Sequence, residues 1–405
     1  MKKILITVLI LSFFLILVAS ASDLEASDLP KKAERLGSLR PDYVGAEKCK
    51  ECHEDIYTKW QNTKHSMAYE NLMKSGEEIE DVCIECHTLD KNDQSLYGVQ
   101  CELCHALGKK HIESDDKKRT QYVNWSVEVC AKCHNSDFHN QVEEWRDSAH
   151  SKSLTAAGGS VLEKEQCQKC HVAQIIVSKN FGLIEIPKKV ENPQPITCPV
   201  CHDPHGSYNT HQLRKSKEDL CASCHNPRNI EPGMELRHVQ SSMYRDSTLD
   251  RAGVRCSDCH MYTEKTGIKT LPTRPSHAFA ANPPSTITVD YSIQEEITKK
   301  ISEVESLLKE AQSIVASGGA EKEKYDKAKY NVDFVKADGS KGIHNPEKAE
   351  QMLEEAESLA KELINLTSSK TPSKTPGKTP ISTPGFEAIV AIVIFIVITI
   401  RFKKG

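Results

Sequence analysis

Aromatic and aliphatic residues are scarce in this chain of 405 residues. Only 6% of the residues are aromatic and 38% are hydrophobic, which is lean for a large core packed from side chains alone. Charge of one sign is lacking as well, since 53 basic and 57 acidic residues leave a net charge of −4 at pH 7. The composition therefore gives no reason to expect a nucleic-acid partner, and the length allows two or three domains.

Cysteine is confined to one stretch, in which all sixteen cysteines belong to eight copies of the motif C-x-x-C-H. In this motif two thiols bind one haem as thioethers, and the following histidine reaches the iron as its proximal ligand. The sequence therefore predicts eight c-type haems. The cysteines are Cys49, Cys52, Cys83, Cys86, Cys101, Cys104, Cys130, Cys133, Cys167, Cys170, Cys198, Cys201, Cys221, Cys224, Cys256 and Cys259. The proximal histidines of motifs 1 to 8, in chain order, are His53, His87, His105, His134, His171, His202, His225 and His260.

Zinc sites and disulfides are the alternatives for paired cysteines. Zinc does not require a histidine after every second cysteine, and only 17 of the 405 residues are histidine, so eight chance coincidences are implausible. Eight motifs between residues 49 and 260 leave too little chain to enclose each haem separately. We therefore expect the haems to pack against one another as the core of a domain spanning 42–282, which should not fold without them.

The N-terminus has the pattern of a secretory signal peptide over residues 1–21, with two lysines, an apolar run and the small residues Ala19-Ser20-Ala21. An uncleaved N-terminal anchor is the alternative. Either segment predicts export of the haem domain, and the charged residues 22–41 form a spacer between the two.

Residues 283–367 contain no cysteine and show helical periodicity. The pattern predicts helices over 290–317, over 321–337 and from Pro346 to about Leu366, with Asn345 as N-cap of the last one. The expected fold class is mainly α: a multihaem cytochrome c domain with stacked haems, a long helical hairpin and a C-terminal membrane segment. The hairpin could pack on the haem domain or mediate self-association.

The C-terminus combines a threonine- and proline-rich stalk over 368–385 with a hydrophobic segment over 386–405. Its apolar run is shorter than the roughly 20 residues that a spanning helix prefers. The T-P-G-F-E sequence, the short apolar run and the basic end resemble the P-G-F type sorting signals of archaeal surface proteins. The resemblance implies removal of the tail and lipid attachment, and a short membrane anchor is the alternative. Both predict attachment through the C-terminus at the outer face of the membrane.

Two segments share the pattern W-x-x-[ST]-x-H, and a third is a degenerate copy. They are Trp60–His65, Trp145–His150 and Tyr244–Leu249, so that a leucine replaces the histidine in the third copy. The spacing allows the aromatic ring to pack on a porphyrin while the imidazole addresses an iron. An internal repeat is the simplest explanation.

Nine histidines lie outside the motifs, and we interpret one of them, His344, as structural. If all the others bind iron, every haem is six-coordinate and the protein only passes electrons. If one of them instead lines an open iron face, the protein is an enzyme. Ligation by Met243 or Met261, or a surface role for some histidines, is also possible. The eight candidates are His65, His111, His139, His150, His205, His211, His238 and His277.

Together these motifs resemble a superfamily that contains the octahaem hydroxylamine oxidoreductases and the ammonia-forming cytochrome c nitrite reductases. C-H-D-P-H at 201–205, G-V-R-C-S-D-C-H-M at 253–261 and G-I-H-N-P-E-K-A at 342–349 contribute to the resemblance, which covers about residues 42–366. It implies closely stacked haem pairs and long helices that often trimerise. It further implies catalysis at the fourth haem, held by Cys130, Cys133 and His134, with His150 as distal pocket histidine.

Some residues depart from the family pattern. The chain has no C-x-x-C-K motif, and Leu249 stands where the nitrite reductases have an active-site histidine. Ala149 precedes His150 where an acidic residue would help, and no tyrosine can be assigned to the haem cross-link of the oxidoreductases. The leading prediction is redox conversion of hydroxylamine, nitric oxide or nitrite at the His134 haem. The competing prediction is a non-catalytic conduit serving partner cytochromes, quinone-linked membrane proteins or extracellular acceptors.

Overall fold

The computed structural model describes residues 43–76, 79–106, 108–116, 123–135, 139–181, 190–226, 236–268, 271–313, 315 and 320–369. The predicted signal peptide, the spacer and the hydrophobic C-terminal segment lie outside these residues. Within them, no helix has both the length and the apolar character needed to cross a membrane. The last described helix ends at Ser369, so the first two residues of the predicted stalk are helical.

The haem-motif region, residues 43–282, consists of short helices joined by turns. The described part has fifteen α-helices of four to nine residues and three 3₁₀ segments at Gln94–Leu96, His150–Glu163 and Thr210–Gln212. The α-helices are α1 Ala46–Lys50, α2 Glu54–Trp60, α3 Ala68–Lys74, α4 Asp81–His87, α5 Cys101–His105, α6 Gly108–Glu113, α7 Glu128–Ala131, α8 Gln141–Asp147, α9 Glu165–His171, α10 Ala173–Phe181, α11 Cys198–Cys201, α12 Lys217–Ala222, α13 Gln240–Tyr244, α14 Thr248–Arg251 and α15 Cys256–His260.

One antiparallel hairpin follows α15, formed by β1 Thr263–Ile268 and β2 Leu271–Pro275, with Thr263 opposite Pro275. Arg274 on β2 is buried and bonds the carboxylates of Glu144 on α8 and Glu264 on β1. Glu144 also accepts the backbone N–H of His277 at 2.7 Å. Because a buried carboxylate bridges the hairpin and α8, the segment that carries His277 is held in place.

Three long helices form the helical unit, residues 292–369. They are α16 Ser292–Gln312, α17 Ala320–Asp338 and α18 Pro346–Ser369, so the three predicted helices are present. Asn345 caps α18 as predicted, because its Oδ1 accepts the N–H of Lys348 at 3.2 Å. Gly342 precedes it at φ 94°, where a Cβ would lie 2.8 Å from Ile297.

The helical unit has a conventional apolar core that also reaches the haem-motif region. The core includes Val304, Val332 and Leu353 from the three helices, together with Val239 and Met243 from the segment around α13. The backbone supports the same contact, since Asn345 donates its side-chain amide to the carbonyl of Met243 at 3.1 Å. The first turn of α18 is therefore docked on α13.

The haem-motif region has no comparable core among its described residues. Its three apolar clusters contain three or four buried residues each, centred on Ile176, Trp145 and Val161. Between them lies one continuous cavity of about 3550 Å³. Pockets for single small ligands occupy about 300 to 1,000 Å³, so this interior is shaped for something much larger.

Candidate haem-binding site

The lining of the cavity is dominated by the residues that the motifs single out. Twelve of the sixteen cysteines and fifteen of the seventeen histidines contribute to it. The two histidines that do not are His53 and His111, and their rings stack on each other at 6.2 Å. The cavity thus joins the sites of seven motifs, and motif 1 lies apart from it.

Each motif folds into about one helical turn. In motif 4, for example, the N–H of His134 donates to the carbonyl of Cys130 at 2.9 Å, and motifs 1, 6 and 7 have the same bond. A helical turn brings residues three and four positions apart to one side. The two thiols and the imidazole therefore face the same space, as covalent attachment and proximal ligation of one haem require.

Every motif histidine has the ring of a non-motif histidine as a neighbour. Six of them have one such neighbour among the described histidines. The six pairs, with their centroid distances, are His53 and His111 at 6.2 Å, His87 and His139 at 6.3 Å, His105 and His205 at 5.7 Å, His171 and His238 at 5.5 Å, His202 and His277 at 6.2 Å, and His260 and His344 at 6.1 Å.

The two remaining motif histidines each have two neighbours. His134 lies 6.2 Å from His65 and 5.7 Å from His139. Likewise, His225 lies 6.3 Å from His150 and 5.6 Å from His238. Since His139 and His238 are the single neighbours of His87 and His171, a one-to-one match pairs His134 with His65 and His225 with His150.

These separations suit a metal ion between the two rings. A bond of about 2 Å from a metal to each imidazole nitrogen places the two ring centroids about 6 Å apart. The eight matched pairs lie at 5.5 to 6.3 Å. Together with the paired thiols of each motif, the histidines therefore fit c-type haems.

Backbone carbonyls fix the orientation of several motif histidines. The Nδ1–H groups of His87, His171 and His202 donate to carbonyls at 3.0, 2.9 and 2.8 Å. His225 instead lies with its Nδ1 3.3 Å from the side-chain oxygen of Gln240. A histidine that donates through Nδ1 leaves the lone pair of Nε2 for a metal, which is the usual arrangement of a haem ligand.

Burial keeps the distal candidates neutral. Desolvation, reinforced by the charge of neighbouring imidazoles, lowers the pKa of His65, His139, His150, His238 and His277 to about 4. A metal binds the neutral imidazole, so none of these rings has to lose a proton at neutral pH before it can coordinate iron.

The repeated W-x-x-[ST]-x-H segments make the same contacts in the structure. In each copy the aromatic side chain donates a hydrogen bond to the carbonyl two residues before the first cysteine of a later motif. The bonds run from Trp60 Nε1 to Val99 at 3.0 Å, from Trp145 Nε1 to Ile196 at 2.8 Å, and from the Tyr244 hydroxyl to Val254 at 2.7 Å. The three copies thus anchor motifs 3, 6 and 8 in the same way.

The first two copies share one further contact that the third cannot make. The carbonyls of Ala68 and Ser153, three residues after His65 and His150, accept the Nδ1–H groups of His87 and His171. These acceptors belong to motifs 2 and 5. After Leu249 the chain passes directly to motif 8, so the third copy lacks both the histidine and the motif that would follow it.

Thiols of different motifs meet inside the protein. Hydrogen bonds connect motif 1 with 3, 2 with 4, 4 with 6, 5 with 7 and 7 with 8. The thiol pairs are Cys49 and Cys101, Cys86 and Cys133, Cys130 and Cys198, Cys170 and Cys224, and Cys221 and Cys256. Cys104 also interacts electrostatically with Cys130, and Cys201 with Cys221, which joins all eight motifs into one connected series.

The structure arranges some predicted site residues differently from the sequence expectations. His150 lies against His225 and Phe279, the latter at 4.4 Å, rather than against His134. His211 is exposed, and its backbone carbonyl accepts the Nδ1–H of His202. His344, interpreted from the sequence as structural, lies against the motif 8 histidine, His260. Its place in G-I-H-N-P, directly before a helix cap, pointed to capping and gave no signal of a haem.

Three families of known proteins match parts of the chain. Residues 190–229 match the doubled C-x-x-C-H motif, residues 48–106 and 129–203 match cytochrome c554 and c-prime, and residues 276–388 match cytochrome c552. The chain is a multihaem c-type cytochrome. None of the three matches spans half of this cytochrome, so they identify its cofactor chemistry and leave its activity open.

Two curated proteins are similar to parts of this cytochrome. The multiheme cytochrome MtrA of Shewanella baltica is 27% identical over 176 residues, which are 38% of this chain and 50% of MtrA. The cytochrome c nitrite reductase subunit NrfA of Nitratidesulfovibrio vulgaris is 25% identical over 232 residues, 49% of this chain and 44% of NrfA. The chain spans about half the length of the curated relatives it matches.

Two solved structures share the fold of this cytochrome. The outer cell wall cytochrome OcwA has a TM-score of 0.60 and 20% identity, covering 79% of this chain and 100% of OcwA. The undecaheme cytochrome from the S-layer of Carboxydothermus ferrireducens has a TM-score of 0.52 and 16% identity, covering 80% of this chain and 70% of that protein. The mainly helical multihaem fold is therefore common to all three.

Proposed function

We propose that this cytochrome is an electron conduit that carries eight c-type haems, each with its iron between two histidines. The observation that carries the proposal is the one-to-one match between eight motif histidines and eight others, at centroid distances of 5.5 to 6.3 Å. A six-coordinate iron has no free position for a substrate. Such haems exchange electrons and do not bind the small nitrogen compounds that an enzyme would convert.

The proposed distal ligands differ from the sequence expectation at two residues. His344 takes the place of His211, and His150 becomes a ligand of the haem at motif 7 instead of the distal residue of a catalytic pocket at motif 4. In the order of motifs 1 to 8 the distal ligands are His111, His139, His205, His65, His238, His277, His150 and His344.

The connected series of thiols supports electron relay. Because the thioethers sit on the porphyrin edge, contacts between thiols of different motifs bring haem edges together. The contact of Cys49 with Cys101 and that of Cys221 with Cys256 are the outermost connections of the series. Electrons entering at either end can therefore cross the protein from haem to haem.

We further propose that the protein works outside the cytoplasmic membrane with other redox proteins as partners. The predicted signal peptide supports export, and the surface locations named for the two structural relatives are consistent with it. The division into a haem domain at 42–282 and a helical domain at 283–367 follows the change of architecture. Membrane attachment through the C-terminus and trimer formation stay predictions.

Redox conversion of nitrogen compounds is the second candidate function. The observation in its favour is the similarity to a nitrite reductase subunit over 232 residues. It requires an open iron, predicted from the family resemblance at His134 with His150 as the pocket residue. The ring of His65 at 6.2 Å from His134 and the distance of His150 from that motif make the conduit the better supported function.

Electron paramagnetic resonance of the oxidised holoprotein tests the proposal. We expect low-spin ferric signals alone, unchanged by hydroxylamine or nitrite. The variant His150→Ala should gain one high-spin haem because it loses an axial ligand, whereas the matched variant His211→Ala should keep the wild-type spectrum. A high-spin signal in the wild type that either compound converts to low spin would contradict the conduit and favour the enzyme.

A further inference from the structure

The ring of His344 is held by a buried carboxylate. Its Nδ1–H donates to Oδ1 of Asp338 at 2.7 Å, and the Asp338 side chain is 2% exposed. Asp338 ends α17, and the hydroxyl and N–H of Ser340 donate to its other oxygen. The carboxylate is therefore fixed on both sides, and the face of His344 opposite to it is left for His260.

This arrangement differs from the other described contacts of the matched histidines. His87, His171, His202 and His260 donate their Nδ1–H groups to neutral backbone carbonyls, at 2.8 to 3.3 Å. A carbonyl orients the ring and adds no charge. A carboxylate also orients the ring, but it carries a negative charge and draws the proton strongly, which makes the imidazole a better electron donor to iron.

One other matched histidine faces a carboxylate, and there the charge is balanced. His205 Nδ1 lies 3.3 Å from Asp203, and Arg214 pairs with the second oxygen of Asp203 at 3.0 Å. The Arg214 side chain is 7% exposed, so its positive charge is buried beside that site. Within the described residues, no lysine or arginine forms such a pair with Asp338.

Asp338 also lies next to a second haem site. Gln240, whose side-chain oxygen faces Nδ1 of His225, donates its amide to the carbonyl of Ala337 at 3.1 Å. The end of α17 thus contacts residues of motifs 7 and 8 together. A charge placed there acts at one end of the connected series of haem sites.

We propose that Asp338 is a positioning residue for the haem attached at Cys256 and Cys259, and that it gives this haem the lowest reduction potential of the series. The inference rests on the proposed function, in which His344 is the distal ligand of that haem. Ferric haem carries one more positive charge than ferrous haem, so a nearby uncompensated carboxylate and a more basic ligand both favour the oxidised state. The haem beside the helical unit is then the electron-donating end of the conduit.

The test is a redox titration of the full-length holoprotein, followed by electron paramagnetic resonance so that individual haems are resolved. The variant His344→Ala identifies the relevant haem by the low-spin signal that it loses. In wild type this signal should be the last to disappear on reduction. In Asp338→Asn the signal should persist and titrate at a higher potential, while the other signals keep theirs.

Two further variants separate a specific effect from a general one. Glu347→Gln removes a carboxylate at the start of α18 that accepts the hydroxyl of Thr248 at 3.0 Å and touches no matched histidine, so it should leave the potentials unchanged. Ser340→Ala removes a hydrogen bond to Asp338, concentrates charge on the carboxylate, and should move the same potential downward. This variant tests the inference even if Asp338→Asn fails to mature.

An unchanged potential in Asp338→Asn, or an equal shift in Glu347→Gln, would overturn the inference while all haems stay low-spin and the conduit stands. Failure of the conduit itself looks different, because it appears as an open high-spin haem in the wild type. If His344→Ala loses no low-spin signal, the ligand assignment on which the inference rests is wrong.

Discussion

The two regions of this protein are built on different principles. The haem-motif region has α-helices of four to nine residues and apolar clusters of three or four buried residues around a cavity of about 3550 Å³. The helical unit has helices of 21, 19 and 24 residues around one continuous core. Side chains alone can fold the second region, whereas the first needs the porphyrins as its core.

Removal of haem should therefore have the largest effect and should separate the two regions. Protein made without haem attachment, with the sixteen cysteines replaced by alanine, should leave 43–282 unfolded because nothing offsets its chain entropy. Residues 292–369 should stay helical. Hydrogen exchange read region by region checks this, with the holoprotein as control, and native-like protection of α1 to α15 in the haem-free protein would show that the comparison is wrong.

A cavity in the helical unit should produce the opposite pattern. Leu353 is fully buried on α18, so Leu353→Ala should lower the free energy of unfolding of this unit by about 3 kcal/mol. Thermal unfolding followed by far-ultraviolet circular dichroism measures the helices, and haem absorbance measures the other region. We expect the helical transition to move to lower temperature first.

Leu359→Ala is the control for this cavity, because Leu359 is only partly buried on the same helix. It should cost clearly less than Leu353→Ala. Equal losses in the two variants, or identical shifts of the helical and haem transitions in Leu353→Ala, would mean that the two regions unfold as one cooperative unit.

The smallest predicted effect concerns a hydrogen bond at the border of the two regions. Tyr244 donates its hydroxyl to the carbonyl of Val254 at 2.7 Å, so Tyr244→Phe should cost about 1 kcal/mol and leave the haem spectra unchanged. Chemical denaturation of the holoprotein measures the loss. Tyr57→Phe is the control, since the Tyr57 hydroxyl bonds Glu47 at an exposed site; an equal loss there would deny the border contact any special role.

The sequence predicted whatever depends on residues close together in the chain. The C-x-x-C-H motifs identified the attachment residues, and the Asn345 and Pro346 pair identified the start of α18. The W-x-x-[ST]-x-H pattern also predicted a repeat whose hydrogen bonds now match. In each case the chemistry lies within about one or two helical turns, where spacing determines geometry.

The pairing of histidines could not be predicted, because it depends on how distant segments fold back. His105 and His205 are 100 residues apart, and no periodicity in helices of four to nine residues connects such positions. His344 was overlooked for the same reason, since it lies in a region without cysteine. The third repeat, with Leu249 for histidine, now has a physical explanation: no motif lies where that ligand would point.

The contacts between thiols have a consequence for how the protein is made. Where Cys49 meets Cys101 and Cys221 meets Cys256, two porphyrin edges must share the space, and a haem cannot be inserted after the chain has closed around it. Attachment therefore precedes folding. His344 comes after every motif in the chain, so the last haem waits for the helical unit before its coordination is complete. A molecule that missed a haem would remain open in the haem-motif region, where proteases can remove it.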